Sequence, residues 1–361
     1  MAGQRSEGWS LGDVEVLARA VLRAPSVHNL QPWTLEVGEG GLLLRERRDL
    51  ALPEHDPRGR DRLMSCGAAL ANLELAVRVL GRQVNTRIFP DPRQPELVAA
   101  LRAGAARPPE AAELHRYSAI ARRRSYRHRF STPRVSDYAL AEIMNSVGGS
   151  RVQARSVTEE RELSEVADLL EFAAEAYQHD QGYQRELALW TIHDEYSHRH
   201  GAGIAGSCLP PSTLPWAGLV RPSTALPDHA VLRRRLGEET LLVFVTVDDA
   251  PIDHLRAGAA LENAWLTAVD GGLAASVLTQ PLHLPEVRSA LCEKLGLAGF
   301  PQVLMRVGHA SADVAQSPRR AIDEILRDHG DRWLRSPGPP GTFACRAGTS
   351  ASFPVAVPVR R

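Results

Sequence analysis

The sequence has 361 residues, enough to bury a sizeable core in one large domain or two. Its 43 basic and 43 acidic side chains cancel, which removes the electrostatic case for nucleic acid or an anionic membrane and leaves any phosphate site to a local basic cluster. The longest apolar runs, such as LLVFV at 241–245, fall far short of the ~20 residues of a membrane-spanning helix, and the opening MAGQRSEGWS lacks a signal-peptide core, so a soluble cytoplasmic protein is expected.

From Ser10, SLGDVEVLARAVLRAP joins a Ser cap and Asp13 to Leu11, Val14, Leu17, Val21 and Leu22 at helical spacing, and Pro25 stops it. The helix-exit loop APSVHNLQPW (24–33) then crowds Ser26, His28, Asn29 and Gln31 between two prolines and a tryptophan. WTLEV and LLLRE flank the turn GEGG and read as a hairpin. An amphipathic helix is expected over 66–81, then a strand in VNTRIF, a short helix from Pro95 and a strand in LHRYSAI. Beyond come the arginine-rich IARRRSYRHRF, a capped helix over 136–147 stopped by Gly148 and Gly149, and a helix ending near Tyr177. A long polar, Pro/Gly-rich tract over about 178–238 separates that helix from the strand LLVFVTV; structureless loops of such length are often lids. Residues 335–361 read as a flexible tail.

The four cysteines, Cys66, Cys208, Cys292 and Cys345, are scattered and read as reduced side chains; Lys294 is the one lysine. His193, Asp194, Glu195, His198 and His200 invite a metal reading, but on a helix His198 would face away from His193 and His200. No GxGxxG dinucleotide fingerprint is present.

GAALANLELAVRVLG at 67–81 aligns with GAALENAWLTAVDGG at 258–272, agreeing at Gly67/Gly258, Ala68/Ala259, Ala69/Ala260, Leu70/Leu261, Asn72/Asn263, Leu75/Leu266 and Gly81/Gly272. PELVAAL at 95–101 likewise answers PEVRSAL at 285–291. A duplicated unit explains both agreements, where two unrelated Ala-rich helices explain only the first. The expected halves are 10–118 and 119–330, the second carrying the 178–238 insertion.

APSVHNLQPW resembles the PSxxNxQPW motif of the nitroreductase-like FMN-binding flavoproteins, RRRSYRHRF at 122–130 is similar to their RRSxR phosphate-binding opening, and SPRRAIDEIL at 317–326 to their C-terminal PRR segment. The resemblance runs from about Ser10 to Leu326. It implies an α+β nitroreductase-like fold. In the family the flavin lies between two subunits, with RRS and the C-terminal arginine from one and the PS/N loop from the other. Here the first half keeps PSxxNxQPW alone and the second keeps RRS and PRR alone. The pattern resembles a fused pseudo-dimer subgroup with a lid-like insertion: one chain, one FMN site, two α/β halves packed as an intramolecular pseudo-dimer, and a monomer in solution.

On this resemblance Arg123, Arg319 and Arg320 bind the FMN phosphate, to which guanidinium offers forked donors. Ser125 adds a hydroxyl, and Arg124 belongs to the same run. Arg127 stands near the flavin N1/C2 edge, where positive charge favours the anionic reduced form. Pro25, Ser26, Asn29 and Gln31 face the ribityl chain and isoalloxazine edge, and the backbone of Thr279, Gln280 and Pro281 faces its reactive side. A lid over Tyr183–Trp216 would bring Trp190 or Trp216 onto the flavin. Each assignment has a plainer rival: a solvated arginine face, turn residues bonding nearby backbone at Asn29 and Gln31, and core packing for Trp33.

The implied activity is an FMN-dependent oxidoreductase that takes hydride from a transient NAD(P)H at flavin N5 and passes electrons to a nitro, quinone or related small-molecule acceptor by ping-pong turnover. The resident cofactor would carry that chemistry without a catalytic dyad. The alternatives are a protein that sequesters FMN beneath a closed lid and a non-flavin interaction protein with a degenerate fold.

Overall fold

In the computed structural model, which describes residues 8–38, 41–149, 151–192, 201–205 and 219–328, Ser10 caps helix α1 (Leu11–Leu22). Its hydroxyl accepts from the Asp13 amide while the Asp13 carboxylate accepts from the Ser10 amide, satisfying two orphan donors of the first turn. A 3-10 turn (Val27–Asn29) leads into the hairpin β1 (Trp33–Gly38) and β2 (Gly41–Glu46). Helix α2 (Arg60–Val79), β3 (Arg82–Ile88), β4 (Leu97–Ala106) and α3 (Ala111–Arg122) follow. Helix α4 (Asp137–Asn145), capped by the Ser136 hydroxyl, precedes β5 (Val152–Val157) and α5 (Glu160–His179). Next come α6 (Gln181–Leu189), the short strands β6 (Thr191–Ile192) and β7 (Ile204–Ala205), α7 (His229–Glu238) and β8 (Thr240–Thr246). The described chain closes with α8 (Pro251–Asp270), β9 (Ala274–Leu278), α9 (Pro285–Lys294), β10 (Phe300–Gly308), α10 (Ile322–Ile325) and β11 (Leu326–Asp328).

The architecture is α+β. One sheet has the order β11-β1-β2-β4-β3 and the other β5-β8-β10-β9. Every named pair in these two sheets is antiparallel except β11 with β1, where Leu326 stands opposite Leu35. Strand alternation sorts β8 between two cores. Leu242 and Phe244 join the main core with α1, α2, α8 and the inner face of the first sheet, whereas Leu241 and Val243 pack against α5, α7 and α9.

Helices α2 and α8, which contain the two similar segments, are each 20 residues long and lie against each other. The contact is reciprocal. A Cβ on Gly67 would come within 1.9 Å of the Leu255 carbonyl oxygen, and a Cβ on Gly258 within 1.9 Å of the Met64 carbonyl oxygen. Each glycine thus faces the residue three positions before the other. Both helices are closed by left-handed glycines, Gly81 (φ +80) and Gly272 (φ +76).

Two expected elements are overturned. PELVAAL contributes to β4 rather than a short helix, because the segment is bonded to β2 on one side and β3 on the other, and this pairing outweighs the helical preference of Ala and Leu. Its counterpart PEVRSAL lies in α9, so the downstream half of the sequence repeat has no shared secondary structure. LHRYSAI belongs to helix α3 rather than a strand. The Glu110 amide bonds to the Glu113 carboxylate at the N-terminus, and Arg78 grips both Glu113 oxygens at 2.8 and 2.9 Å.

In its described residues the 178–238 tract carries α6, β6, β7 and α7. Tyr183 and Leu187 of α6 are buried with Tyr177, so the start of the expected lid is body, not cover. His193 to His200, Trp216, Cys208, Cys345 and the tail 335–361 lie outside the described residues. No described helix is long and apolar enough to cross a membrane.

Candidate functional site

The loop after α1 is bent at three non-glycine residues in the left-handed region: His28 (φ 45), Asn29 (φ 56) and Gln31 (φ 53). Such backbone costs of order 1 kcal/mol or more per residue and persists only where surroundings over-determine it. They do so here. The Ser26 hydroxyl accepts from the Gln31 amide at 3.0 Å, and Ser65 of α2 accepts from the Val27 amide at 3.1 Å.

Two further segments converge on this loop. Arg123 follows the last residue of α3, and Ser125 bridges to Ala275 of β9, so the run Arg123–Arg127 leaves the helix along the edge of the second sheet. From the other side, the stretch before α10 carries Arg319 against Asn29, whose side-chain oxygen accepts from Arg319 Nη1 at 3.1 Å. Pro25, Ser26, Asn29, Arg123, Arg124, Ser125, Arg127, Thr279, Gln280 and Arg319 line one cavity.

Three expected residues do not line it. Pro281 is buried in a 3-10 turn (Gln280–His283). Arg320 turns its side chain away, to the Leu30 carbonyl at 3.3 Å and Glu324 at 3.1 Å. Gln31 is fully buried and works as a clamp, donating to the Gly201 carbonyl at 2.7 Å and accepting from the Arg320 amide at 2.9 Å. Asn29 also departs from expectation: its amide nitrogen is within bonding distance of the Gly201, Gly203 and Pro318 carbonyls at 3.1, 3.2 and 3.0 Å, so it ties segments together instead of offering a donor to the cavity. Trp33 is fully buried in the main core, as its plainer reading has it.

The electrostatics are lopsided. Burial, and then the like charges of Arg123, Arg23 and Arg124, push Arg319 down to about 9, and burial lowers Arg123 too. The Nε of each is buried without a hydrogen bond. Arg123 stacks over the Trp265 ring at 4.6 Å, and its nearest counter-charge is Glu262 at 3.6 Å. Glu262 is fully buried, and that burial raises its carboxyl to about 7 despite Arg123. Clustered guanidinium groups beside a buried Glu262 whose ionisation is suppressed are chemically suited to a compact, multiply charged anion.

Sequence reasoning gave no role to His28, His55, Asp61, Glu262 or Trp265, all of which line the cavity or adjoin its arginines. His55 and Asp61 stand just before and just inside α2, and the polar run HDPRGRDR (55–62) ahead of an apolar helix was their available signal.

No family model matches the sequence. A Mycobacterium tuberculosis (strain ATCC 25618 / H37Rv) protein, provisionally named an NAD(P)H nitroreductase, is 34% identical over 333 residues, covering 87% of this chain and 90% of that protein. The chain belongs to the nitroreductase family. A second relative in that organism, the provisionally named NAD(P)H nitroreductase acg, is 29% identical over 85% of this chain and 94% of its own. Among solved nitroreductases, the FMN and NADPH-dependent nitroreductase NfnB from sphigopyxis sp. strain HMH matches at 22% identity and a TM-score of 0.39, covering 60% of this chain and 99% of that one. Nitroreductase A from Vibrio parahaemolyticus matches at 14% identity and a TM-score of 0.38, covering 61% and 78%.

Proposed function

We propose that this nitroreductase-family protein binds FMN in the cavity between its 26–31 loop, its Arg123–Arg127 run and Arg319, and works as an NAD(P)H-dependent oxidoreductase on a nitro, quinone or related acceptor. The observation that carries the reading is the pair of buried guanidinium groups, Arg123 and Arg319, which line one cavity with Arg124 and Arg127 and whose Nε donors make no hydrogen bond. A phosphate monoester supplies up to two charges and several acceptors. When bound, FMN supplies hydride and electron transfer, chemistry that asks no nucleophile or acid–base dyad of the protein. The chain's own residues bind, orient and exclude water. Arg127, Thr279 and Gln280 complete the lining of the cavity.

The same reading includes one FMN per chain and two duplicated halves, 10–118 and 119–330, arranged as a pseudo-dimer. The reciprocal Gly67 and Gly258 contacts support it, as does the division of the cavity walls between the halves. The proposed boundary falls within α3, which then serves as the link.

Affinity measurement tests the phosphate assignment. R319A or R123A is expected to weaken FMN by about 1.5–3 kcal/mol, roughly 10- to 150-fold, the usual size for hydrogen bonds to a charged group. Riboflavin, which has no phosphate, is expected to bind both variants as it binds the parent. Equal losses for the two ligands would sink the assignment.

One observation favours a second reading, an FMN-sequestering protein with a closed cover and little turnover. Gly203, Ile204 and Ala205 of the 178–238 insertion line the cavity, and Asn29 and Gln31 hold this segment by its carbonyls. The rate at which anaerobic NAD(P)H bleaches the bound flavin separates the readings: rapid bleaching supports the oxidoreductase, and negligible bleaching the sequestering protein.

A further inference from the structure

Beside the cavity lies a second polar cluster that the flavin reading leaves unused. His55 precedes α2, Asp61 lies in its first turn, and His283 ends the 3-10 turn after β9. All three side chains are more than nine-tenths buried. One donor atom from each lies within 4.8 Å of the other two. Asp61 spans the pair, with one carboxylate oxygen 3.3 Å from His55 Nε2 and the other 3.1 Å from His283 Nε2.

The second of these contacts is informative. At 3.1 Å it puts the second imidazole nitrogen against the carboxylate oxygen that His55 does not engage, so both imidazoles converge on one buried carboxylate. Two imidazole nitrogens and a carboxylate oxygen within 4.8 Å of one another are close enough to share a common centre. A tetrahedral zinc ion with bonds of about 2.0–2.1 Å sets its ligand atoms about 3.4 Å apart, so adjustments of about 1 Å bring this trio onto one ion. The scaffold is already braced. Arg60 donates to the carbonyls of Leu282 at 2.9 Å and Thr279 at 3.3 Å, tying the turn that carries His283 to the start of α2. The His55 backbone amide is held by Glu186 of α6 at 2.7 Å.

We propose that His55, Asp61 and His283 form a binding site for one divalent transition-metal ion of the zinc class. Two imidazoles and one carboxylate are a borderline-soft donor set that suits such an ion better than Ca²⁺ or Mg²⁺, which favour all-oxygen cages. Three protein ligands leave a coordination position open. His55 and Asp61 both line the cavity, which gives that position access to a small ligand there. The neighbouring charges are Arg60, 3.7 Å from Asp61, against the buried carboxylates Asp56 and Glu186.

The test uses the full chain, stripped with a chelator, incubated with Zn²⁺ and passed through gel filtration, with retained metal measured by mass spectrometry. The parent is expected to keep about one zinc per chain, and D61N and H283Q less than a tenth of that. A chain with His193, His198 and His200 replaced by Ala is expected to keep the parent's amount. Added Zn²⁺ should raise the melting midpoint of the parent and leave that of H283Q unmoved; the two midpoints without zinc identify any variant that fails to fold, in which case H55Q takes its place. Failure of the folded parent to retain zinc overturns the proposal. So does equal retention by H283Q, or loss of the metal through the His193, His198 and His200 replacements alone.

Discussion

Glu262 is the residue at which the anion-hungry site writes itself into stability. Its carboxyl is raised to about 7 by burial, above the ordinary 4.5, so the folded protein holds a proton that the unfolded chain releases. The stabilisation linked to that proton is complete below about pH 4.5 and is lost as pH rises through about 7. Between pH 5 and 8, without added flavin, the parent is expected to lose roughly 2–3 kcal/mol of unfolding free energy that E262Q does not lose, readable as diverging denaturant midpoints. Parallel pH profiles would show that Glu262 is ionised throughout. At this scale the placement of Arg123, Arg124, Arg127, Arg319 and Ser26 on one cavity was legible because each belongs to a short local motif, whereas Arg320, in the same motif as Arg319, turns away. The role of Asn29 was not, since its partners Gly201 and Pro318 stand 172 and 289 residues away, and a side chain's occupation by a distant carbonyl leaves no local trace. His55, Asp61 and His283 were hidden for the same reason: three segments must meet before they become a cluster.

Among the elements, α2 and α8 test the kinship of the two halves most directly. G67A and G258A each place a methyl against a backbone carbonyl, which cannot swing aside as a flexible side chain can. Each substitution is expected to cost about 3 kcal/mol in denaturant unfolding, and the reciprocity of the contact requires similar costs. A neutral result at one position and a large one at the other would break the equivalence. These helices, the first hairpin and α4 were readable from apolar spacing and caps. PELVAAL and LHRYSAI were misread in opposite directions, because a short Ala/Leu run with two strand partners becomes a strand and a short alternating run behind a capped Glu110 continues as a helix. The segment holding Gly201 offers a further test. Gly201 sits at φ +60, and a Cβ there would come within 2.1 Å of the Arg319 carbonyl. On the proposed oxidoreductase reading, G201A is expected to displace this segment and slow acceptor turnover, as loss of a closure that completes the site does. Faster anaerobic flavin reduction in G201A would select sequestration instead.

For the whole molecule, the expected flavin content is about one FMN per chain after denaturation and release, because the cavity draws the 26–31 loop from one end of the described chain and Arg319 from the other. Two per chain would defeat the single-site arrangement. The α+β class and the meeting of three motifs were legible in the sequence, while the pairing of the sheets was not. In particular, nothing local in Leu326–Asp328 announces that this segment lies parallel to β1. That pairing has a consequence for the protein as it is made. Asn29 leaves the ribosome 289 residues before Pro318, its eventual neighbour. At about 5–20 residues per second, the outer edge of β1 waits roughly 15–60 s for β11. Throughout that interval the nascent sheet presents an unpaired strand edge, the feature that invites wrong partners. The arginine that closes the cavity arrives on the same late segment. On the proposed function, flavin capture waits for the segment that carries Arg319, and a chain released before it carries an unpaired β1 edge and an incomplete cavity together.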